Sequence, residues 1–507
     1  MSRKTFFPEL DKASECEAIL SLAALFEGEF SVDWLQDVSG HKASAIFAAL
    51  DWGVEKKWLA RSSPGDFYFL DHQLQQEFRA QLPFEKAERL HGHIAEMLSR
   101  NLVRGRDKTL RVAWHLLHVT NDPDGCRILI ENGDIHRRQF RDEQARQYYD
   151  KAIEDLRRIS GPEADALFVE ATLQYARVST DSDNPARVIA ILKEAIARAE
   201  AIDSQQSAGF LRMHLGKSEW LRSRYQPALD HFQSGWELTR SIDDPSIQKS
   251  VSIFGMFYHY WSGRYRDVVG IYETLVPDVE DRFPKGRLPL LAALTAGVCL
   301  GHTGLYSQAL GMLHAIREHG RSIGNLSISG LAGVSMGYLL LELHRPEDAI
   351  ETINNSWAEI EKSKSLYARL GGLALLGYGY HLAGRSDKAV SCIRQYLDDS
   401  RKSAMTVKYS AVMLLICQAA AEGTFPRMEG LDLAEEIRYS IESGNLLMRG
   451  VACRHKALML RNSGLSGKPV LDLISRSISD LETCGHRIER ARSMVEAARE
   501  YIRTDRK

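Results

Sequence analysis

The sequence predicts an all-α fold: a right-handed solenoid of about 40-residue helical hairpins, preceded by a small α+β domain. Three observations carry this. A residue, small in six copies and Met256 in the seventh, followed twelve positions later by Ala or Val recurs seven times between residues 125 and 400. The recurrences keep a nearly constant spacing. The first hundred residues lack the repeat and contain two short strand-like runs.

The amino-terminal elements come first. Glu15–Phe26 has helical periodicity. Ser31 is placed as an N-cap for a helix over Val32–Val38. Lys42–Trp52 is a third helix, expected to end near Gly53. Trp58–Arg61 and Phe67–Asp71 are strands joined by Ser63-Pro-Gly-Asp66, a hairpin. Three helices followed by a β-hairpin is the winged-helix arrangement. Gln73–Gln81 and Phe84–Asn101 follow as helices.

The repeats follow. Gly297 precedes Ala309, Gly337 precedes Ala349, and Gly377 precedes Ala389, each by twelve residues. Gly216 with Ala228 and Gly133 with Ala145 extend the series backwards. Ala176 with Val188 and Met256 with Val268 complete it. This pattern resembles the tetratricopeptide repeat (TPR), in which two antiparallel helices cross closely where both side chains are small. Gly263, Gly304 and Gly384 fit the tight turn between them. The anchors Ala145, Val188, Ala228, Val268, Ala309, Ala349 and Ala389 lie 40 to 43 residues apart. The family's usual period is about 34, so both helices are expected to be longer than usual. After Ala389 the register loosens. Gly423–Gly430 is a loop, and helices resume near 431–442, 446–463, 469–484 and 486–503. The last helix, ending in the charged tail Arg503–Lys507, is expected to be a polar cap. The expected organisation is therefore a winged-helix-like domain at 1–82, connecting helices at 83–124, TPR-like repeats at 125–400, and degenerate repeats with capping helices at 401–507.

A second resemblance concerns the junction. Phe69–Phe78, Leu90–Leu98 and Ala113–Leu117 are similar to the winged-helix-to-TPR junction of bacterial STAND-type regulatory ATPases, the class of maltose-regulator-like activators. In that class an NTPase module precedes the winged helix and the repeats sense a ligand or partner. No GxxxxGK[ST] string occurs in this sequence. Gly216-Lys-Ser218 has the right ending, but Leu211 stands where the first Gly belongs. The resemblance thus implies the regulatory half without ATP hydrolysis.

Bulk properties narrow the function. Sixty-five basic and 67 acidic residues give a net charge of −2. That balance disfavours a general nucleic-acid or membrane-surface binder. The seven cysteines are scattered and form no CxxC pair, which points to buried thiols in a reducing compartment. No apolar run approaches the ~20 residues of a membrane span, so a cytoplasmic location is expected.

No constellation carries catalysis. Gly333-Val-Ser-Met-Gly337 matches GxSxG, but it lies in a repeat helix rather than on a strand-to-helix turn. His115 and His118 lack a third metal ligand in sequence, and His91 and His93 point to different helix faces. The chain is therefore expected to be no enzyme and to hold no cofactor or metal. The TPR resemblance implies a concave face built by the residues one, four and five places after each small residue. These are Lys217, Trp220, Phe257, Tyr260, Trp261, His302, Tyr338, Glu342, Tyr378 and His381. Aromatic side chains with a few charges suit a peptide or partner helix. The expected function is a regulatory adaptor that binds, or sequesters, a protein partner. The alternative is a transcription regulator with the winged helix on DNA. Its third helix is mostly apolar, and Lys42, Lys56 and Lys57 make a thin patch, so nucleic acid is the weaker expectation.

Overall fold

The computed structural model describes residues 8–179, 184–276, 287–408 and 411–505. Arg506 and Lys507 of the expected charged tail lie outside the described residues. The chain divides into two compact units: Met1–Arg137 with Glu143–Ala171, and Arg138–Asp142 with Thr172–Lys507.

The first unit opens with α1 (Pro8–Ala23), β1 (Phe30–Ser31), α2 (Val32–Ser39) and α3 (Ala43–Glu55). The Ser31 hydroxyl accepts from the Trp34 N–H, as the N-cap reading required. α3 runs through Gly53 instead of stopping there. Gly53 is needed in the helix because Leu59 crosses it: an added Cβ would stand 2.9 Å from a Leu59 methyl. The hairpin forms from β2 (Leu59–Ser63) and β3 (Asp66–Phe69), and β1 adds to give an antiparallel sheet of order β1-β3-β2. Phe30, Leu35, Ile46, Leu50, Leu59 and Phe67 fill the core between helices and sheet. Next come α4 (His72–Ala80), capped by Asp71, α5 (Phe84–Asn101) and α6 (Arg106–Leu116). α7 (Pro123–Arg138), α8 (Asp142–Leu156) and the first half of α9 (Pro162–Ser179) complete the unit. Gly133 faces the Tyr149 ring, whose hydroxyl donates to Asp134 at 2.6 Å.

The second unit is a row of helical hairpins. Its first whole helix is α10 (Pro185–Ala201); the pairs that follow are α11 (Gln205–Leu221) with α12 (Tyr225–Thr239), α13 (Pro245–Trp261) with α14 (Tyr265–Leu275), and α15 (Arg287–His302) with α16 (Tyr306–Ser322), after which α17 (Leu326–Glu342) begins the next pair. α18 (Pro346–Asn354) and α19 (Trp357–Ser363) are one helix broken at Asn355-Ser356, followed by α20 (Leu366–Leu382) and α21 (Ser386–Ser403). Then come α22 (Val412–Ala421), α23 (Leu433–Glu442), α24 (Leu446–Asn462), α25 (Lys468–Cys484) and α26 (Arg487–Asp505). The last four match the expected helices within two residues, whereas α22 was not foreseen. This is a TPR-like architecture, and the repeat register explains it. A Cβ on Gly216 would stand 2.8 Å from the Ala228 carbonyl oxygen, so the two helices touch backbone to backbone. Seven residues after Gly216, Met256, Gly297, Gly337 and Gly377 the chain turns with positive φ, at Ser223, Gly263, Gly304, His344 and Gly384. The turn is obligatory, and glycine fills it in three hairpins of the five.

A further register emerges at longer range. Thr406 and Val407 donate their N–H groups to the Leu221 carbonyl at 3.1 and 3.0 Å. The Asn445 amide donates to the Trp261 carbonyl at 2.9 Å, and the Leu446 N–H to the Ser262 carbonyl at 3.1 Å. The rings of His302 and His486 lie 5.1 Å apart. Asn445 is 184 residues from Trp261, and the same difference separates 486 from 302. The hairpin row therefore winds until its later turns meet the ends of α11, α13 and α15. At α11 and α13 they satisfy carbonyls that a helix C-terminus leaves without an intrahelical partner.

Among the described residues, no helix is long and apolar enough to cross a membrane.

Candidate functional site

The inner face of the second unit is set by α11, α13, α15, α17 and α20. Five of the residues expected there converge. Trp220 stacks on Trp261 with centroids 5.4 Å apart, and Phe257 stacks on Trp261 at 6.3 Å. Lys217 and Tyr260 are half-buried beside them. With Leu291, Leu294, Thr295, Val298, Leu331, Ser335 and Tyr367 they line an apolar cleft of about 60 Å³. Tyr367 reaches Trp220 from α20, 5.7 Å between centroids, so the cleft is bounded by helices several hairpins apart. Its volume is on the order of four or five waters, room for one apolar side chain and not for a helix.

The other five expected residues meet later segments of the chain instead: C-terminal helices for four of them, and the loop between α22 and α23 for His381. His302, 2 % exposed, stacks on Tyr265 at 4.4 Å and lies edge-on to Tyr338 at 5.3 Å. Glu342 lies between two imidazoles: His486 Nε2 is 2.8 Å from its Oε1 and His302 Nδ1 is 3.4 Å away. The Tyr306 hydroxyl donates to its other oxygen at 3.1 Å. Tyr338, Glu342 and Tyr378 border a second small pocket, closed by Leu447, Val451, Glu489 and Arg492. His381 packs edge-on against Phe425 at 5.5 Å. The expected concave face is thus open at Lys217–Trp261 and covered from His302 onward.

The His302–Glu342–His486 group has three donor atoms within 4.8 Å of one another. Its hydrogen bonds define its chemistry. The Glu489 N–H donates to His486 Nδ1 at 3.4 Å, so that ring carries its proton on Nε2, facing the carboxylate. Burial pushes His486 down, but the Glu342 and Glu489 carboxylates outweigh it and hold its pKa above the ordinary value. Burial pushes Glu342 up, but His486 and His302 outweigh it and hold the carboxyl well below its usual range. Burial keeps His302 below its ordinary value. The result is a buried, charge-assisted hydrogen bond from His486 Nε2 to the Glu342 carboxylate that ties the start of α26 to the end of α17.

Sequence reasoning missed Leu291, Leu294, Leu331, Ser335 and Tyr367. A signal existed. The face was counted forwards only from each small residue, and the 3.6-residue period runs backwards as well. Leu291 and Leu294 precede Gly297 by six and three residues, and Leu331 precedes Gly337 by six. In the first unit, His91, His115 and His118 come together although the sequence separated His91 from the others. His91 and His115 share a hydrogen bond between their Nδ1 atoms at 2.9 Å, and His91 stacks on His118 at 4.3 Å. On α3 the solvent-facing residues are Ser44, Phe47, Ala48, Asp51 and Glu55. That face carries the carboxylates of Glu55 and of Asp51, which pairs with Arg61 of β2, and Lys42, Lys56 and Lys57 lie beyond its ends.

No family model matches the chain, and no curated protein matches it. Solved structures of helical-repeat proteins do. A Rap protein complexed with competence and sporulation factor is 13 % identical with TM-score 0.49, over 75 % of this chain and 99 % of that one. The Rap conjugation regulator of plasmid pLS20, complexed with the Phr* peptide, is 12 % identical with TM-score 0.44, over 77 % and 99 %. A STAND protein with a tetratricopeptide-repeat sensor from Pyrococcus horikoshii is 14 % identical with TM-score 0.36, over 79 % and 66 %. At these identities the likeness concerns helical-repeat architecture and says nothing of ligand or partner.

Proposed function

We propose that this chain is a non-catalytic regulatory adaptor that binds a protein partner by seating one apolar side chain in the Trp220–Tyr260–Trp261–Tyr367 cleft. The observation that supports it is the cleft itself: aromatic walls, with half-buried Lys217 among the lining residues. Aromatic anchors in a preformed pocket are where binding energy concentrates. A cleft this small takes a residue of an extended peptide, and Lys217 favours an acidic neighbour in that peptide. In this reading the amino-terminal helices and hairpin are a winged-helix-like module that does not read DNA, because Asp51 and Glu55 occupy the outer face of its third helix.

The test is affinity capture from native cytosol with tagged wild-type protein and a Lys217→Glu, Tyr260→Ala variant, with and without nuclease. Both substituted side chains are half-buried, so circular dichroism and melting temperature should stay close to wild type. The expected result is one stoichiometric protein that survives nuclease and is lost in the variant. Capture that disappears with nuclease, or that the variant retains, would sink the proposal.

A further inference from the structure

The last helix is inverted relative to an ordinary surface helix. Its buried residues are polar: Glu489, Ser493, Glu496 and Glu500, none more than 9 % exposed. Its outward residues are apolar: Met494 and Val495 are each 51 % exposed, and Tyr501 and Ile502 each 55 %. Ala491 and Ala498 are exposed between them. Positions 491, 494, 495, 498, 501 and 502 form one continuous stripe at helical spacing. This replaces the expected polar cap. Amphipathic helices fold with the stripe inward, because apolar area in water costs roughly 25 cal/mol per Å².

The inversion has a local cause. The two preceding helices present polar groups to α26. Arg454 ion-pairs with Glu489 and bonds Ser493 at 3.1 Å. Arg461 meets Glu496 at 2.7 Å, Ser477 meets Ser493 at 2.8 Å, and the Gly467 N–H donates to Glu500 at 2.8 Å. Only Ala497 of this helix joins the small apolar cluster of Ala457, Val470 and Ile474. The polar face is therefore committed, and the stripe is left outside by construction.

The charges beside the stripe say what covers it. The described acidic side chains of α26 all point inward. Its outward charges are arginines: at 100° per residue, exposed Arg487 lies in the register of the stripe, Arg490, paired with Glu482 of α25, lies on one flank, and Arg499 and Arg503 lie on the other, while Arg492 turns toward His344. Arg454 and Arg461 already neutralise Glu489 and Glu496 from α24. Arg492 and Arg499 also reach those carboxylates, which leaves the surface in positive excess. A second copy of the chain would bring arginine flank against arginine flank. We propose that the outer face of α26 is a docking surface for an acidic amphipathic helix of a partner protein, laid along the stripe with its carboxylates on the arginine flanks. This site is independent of the inner cleft.

The test uses the full chain and two fluorescein-labelled helical peptides with the same leucine stripe, one with glutamate flanks and one with lysine flanks. Fluorescence anisotropy should show binding of the glutamate peptide, weakened by salt, and none of the lysine peptide. Met494→Glu with Tyr501→Glu should weaken binding at least about tenfold. Both side chains are more than half exposed, so the variant should keep its melting temperature, and Tyr260→Ala should bind as wild type does. Failure of the glutamate peptide to bind, or equal binding of both peptides, would overturn the proposal. So would a concentration-dependent dimer that Met494→Glu abolishes, which would assign the stripe to a second copy. Binding to phosphatidylglycerol vesicles without peptide binding would assign it to a membrane surface instead.

Discussion

The histidine cluster of the first unit makes stability depend on pH in one direction. His91 is 3 % exposed and His115 2 %. Burial pushes His91 down to about 3 and His115 well below 6.5, with His118 and Arg79 adding repulsion. Trp114 packs against both rings, with Arg79 over the indole, and Glu27 and Asp107 border the cavity beside His115 without offsetting the burial. A ring that refuses a proton when folded but accepts one when unfolded stabilises the fold above its unfolded pKa and loses that contribution as pH falls. With an unfolded pKa near 6.5, each ring that stays neutral costs about 2 kcal/mol between pH 7 and pH 5. His91 and His115 together therefore cost about 4 kcal/mol. His118 is pushed down to about 4 but is solvent-exposed, so it adds little. Glu27, raised by partial burial, works in the opposite sense, and it too is exposed.

The measurement is denaturant-dependent hydrogen exchange of α5 and α6 at pH 7 and pH 5, corrected for intrinsic rates, alongside imidazole titration by NMR. His91 and His115 should hold neutral-ring shifts down to pH 5, and the opening free energy should fall by about 4 kcal/mol. A His91→Gln, His115→Leu variant should start less stable and lose most of the pH dependence. Opening energies that are flat across this range, or titration of both rings near 6.5, would refute the reasoning.

Other outcomes follow from single contacts. Gly216→Ala should cost about 1–3 kcal/mol in urea unfolding, because its Cβ would meet the Ala228 carbonyl and neither backbone can yield cheaply. Ala404→Gly should stabilise by about 0.5–1 kcal/mol, since Ala404 holds φ at 55° at the end of α21, where a β-carbon is strained. Asn445→Ala should cost about 1–3 kcal/mol, visible as faster exchange in α24. It removes both the bond to the Trp261 carbonyl and the cap on the Met448 N–H.

Much of the hairpin architecture was legible because its determinants are local. Gly216, Gly337 and Gly377 each announce a close helix crossing, and the turn seven residues later follows from the same register. Where glycine is missing from that turn, at Ser223 and His344, the backbone still adopts positive φ. The signal there is the spacing and not the residue. Gly53 misled for the converse reason: it was read as a helix stop, while its use is to let Leu59 pass. The broken helix at Asn355-Ser356 had no Gly or Pro to mark it.

The site was half legible, and the missing half has a geometric cause. A residue's place on its own helix follows from a 3.6-residue period, so Trp220, Tyr260 and Trp261 could be assigned to one inner face. Whether that face is open depends on how far the row of hairpins rotates per repeat. A small rotation summed over many repeats decides that His486 arrives at Glu342, 144 residues away, and Asn445 at Trp261, 184 away. No short-range pattern encodes that sum. Its trace in the sequence is polar residues placed where an open groove would not need them, such as Glu342 between His302 and His486. The same logic applies to α26. Its stripe of Met494, Val495, Tyr501 and Ile502 was visible in sequence, but the side it faces was decided by Arg454 and Arg461, 35 residues before the glutamates they hold. In a repeat protein, which face is functional is therefore settled by contacts between repeats.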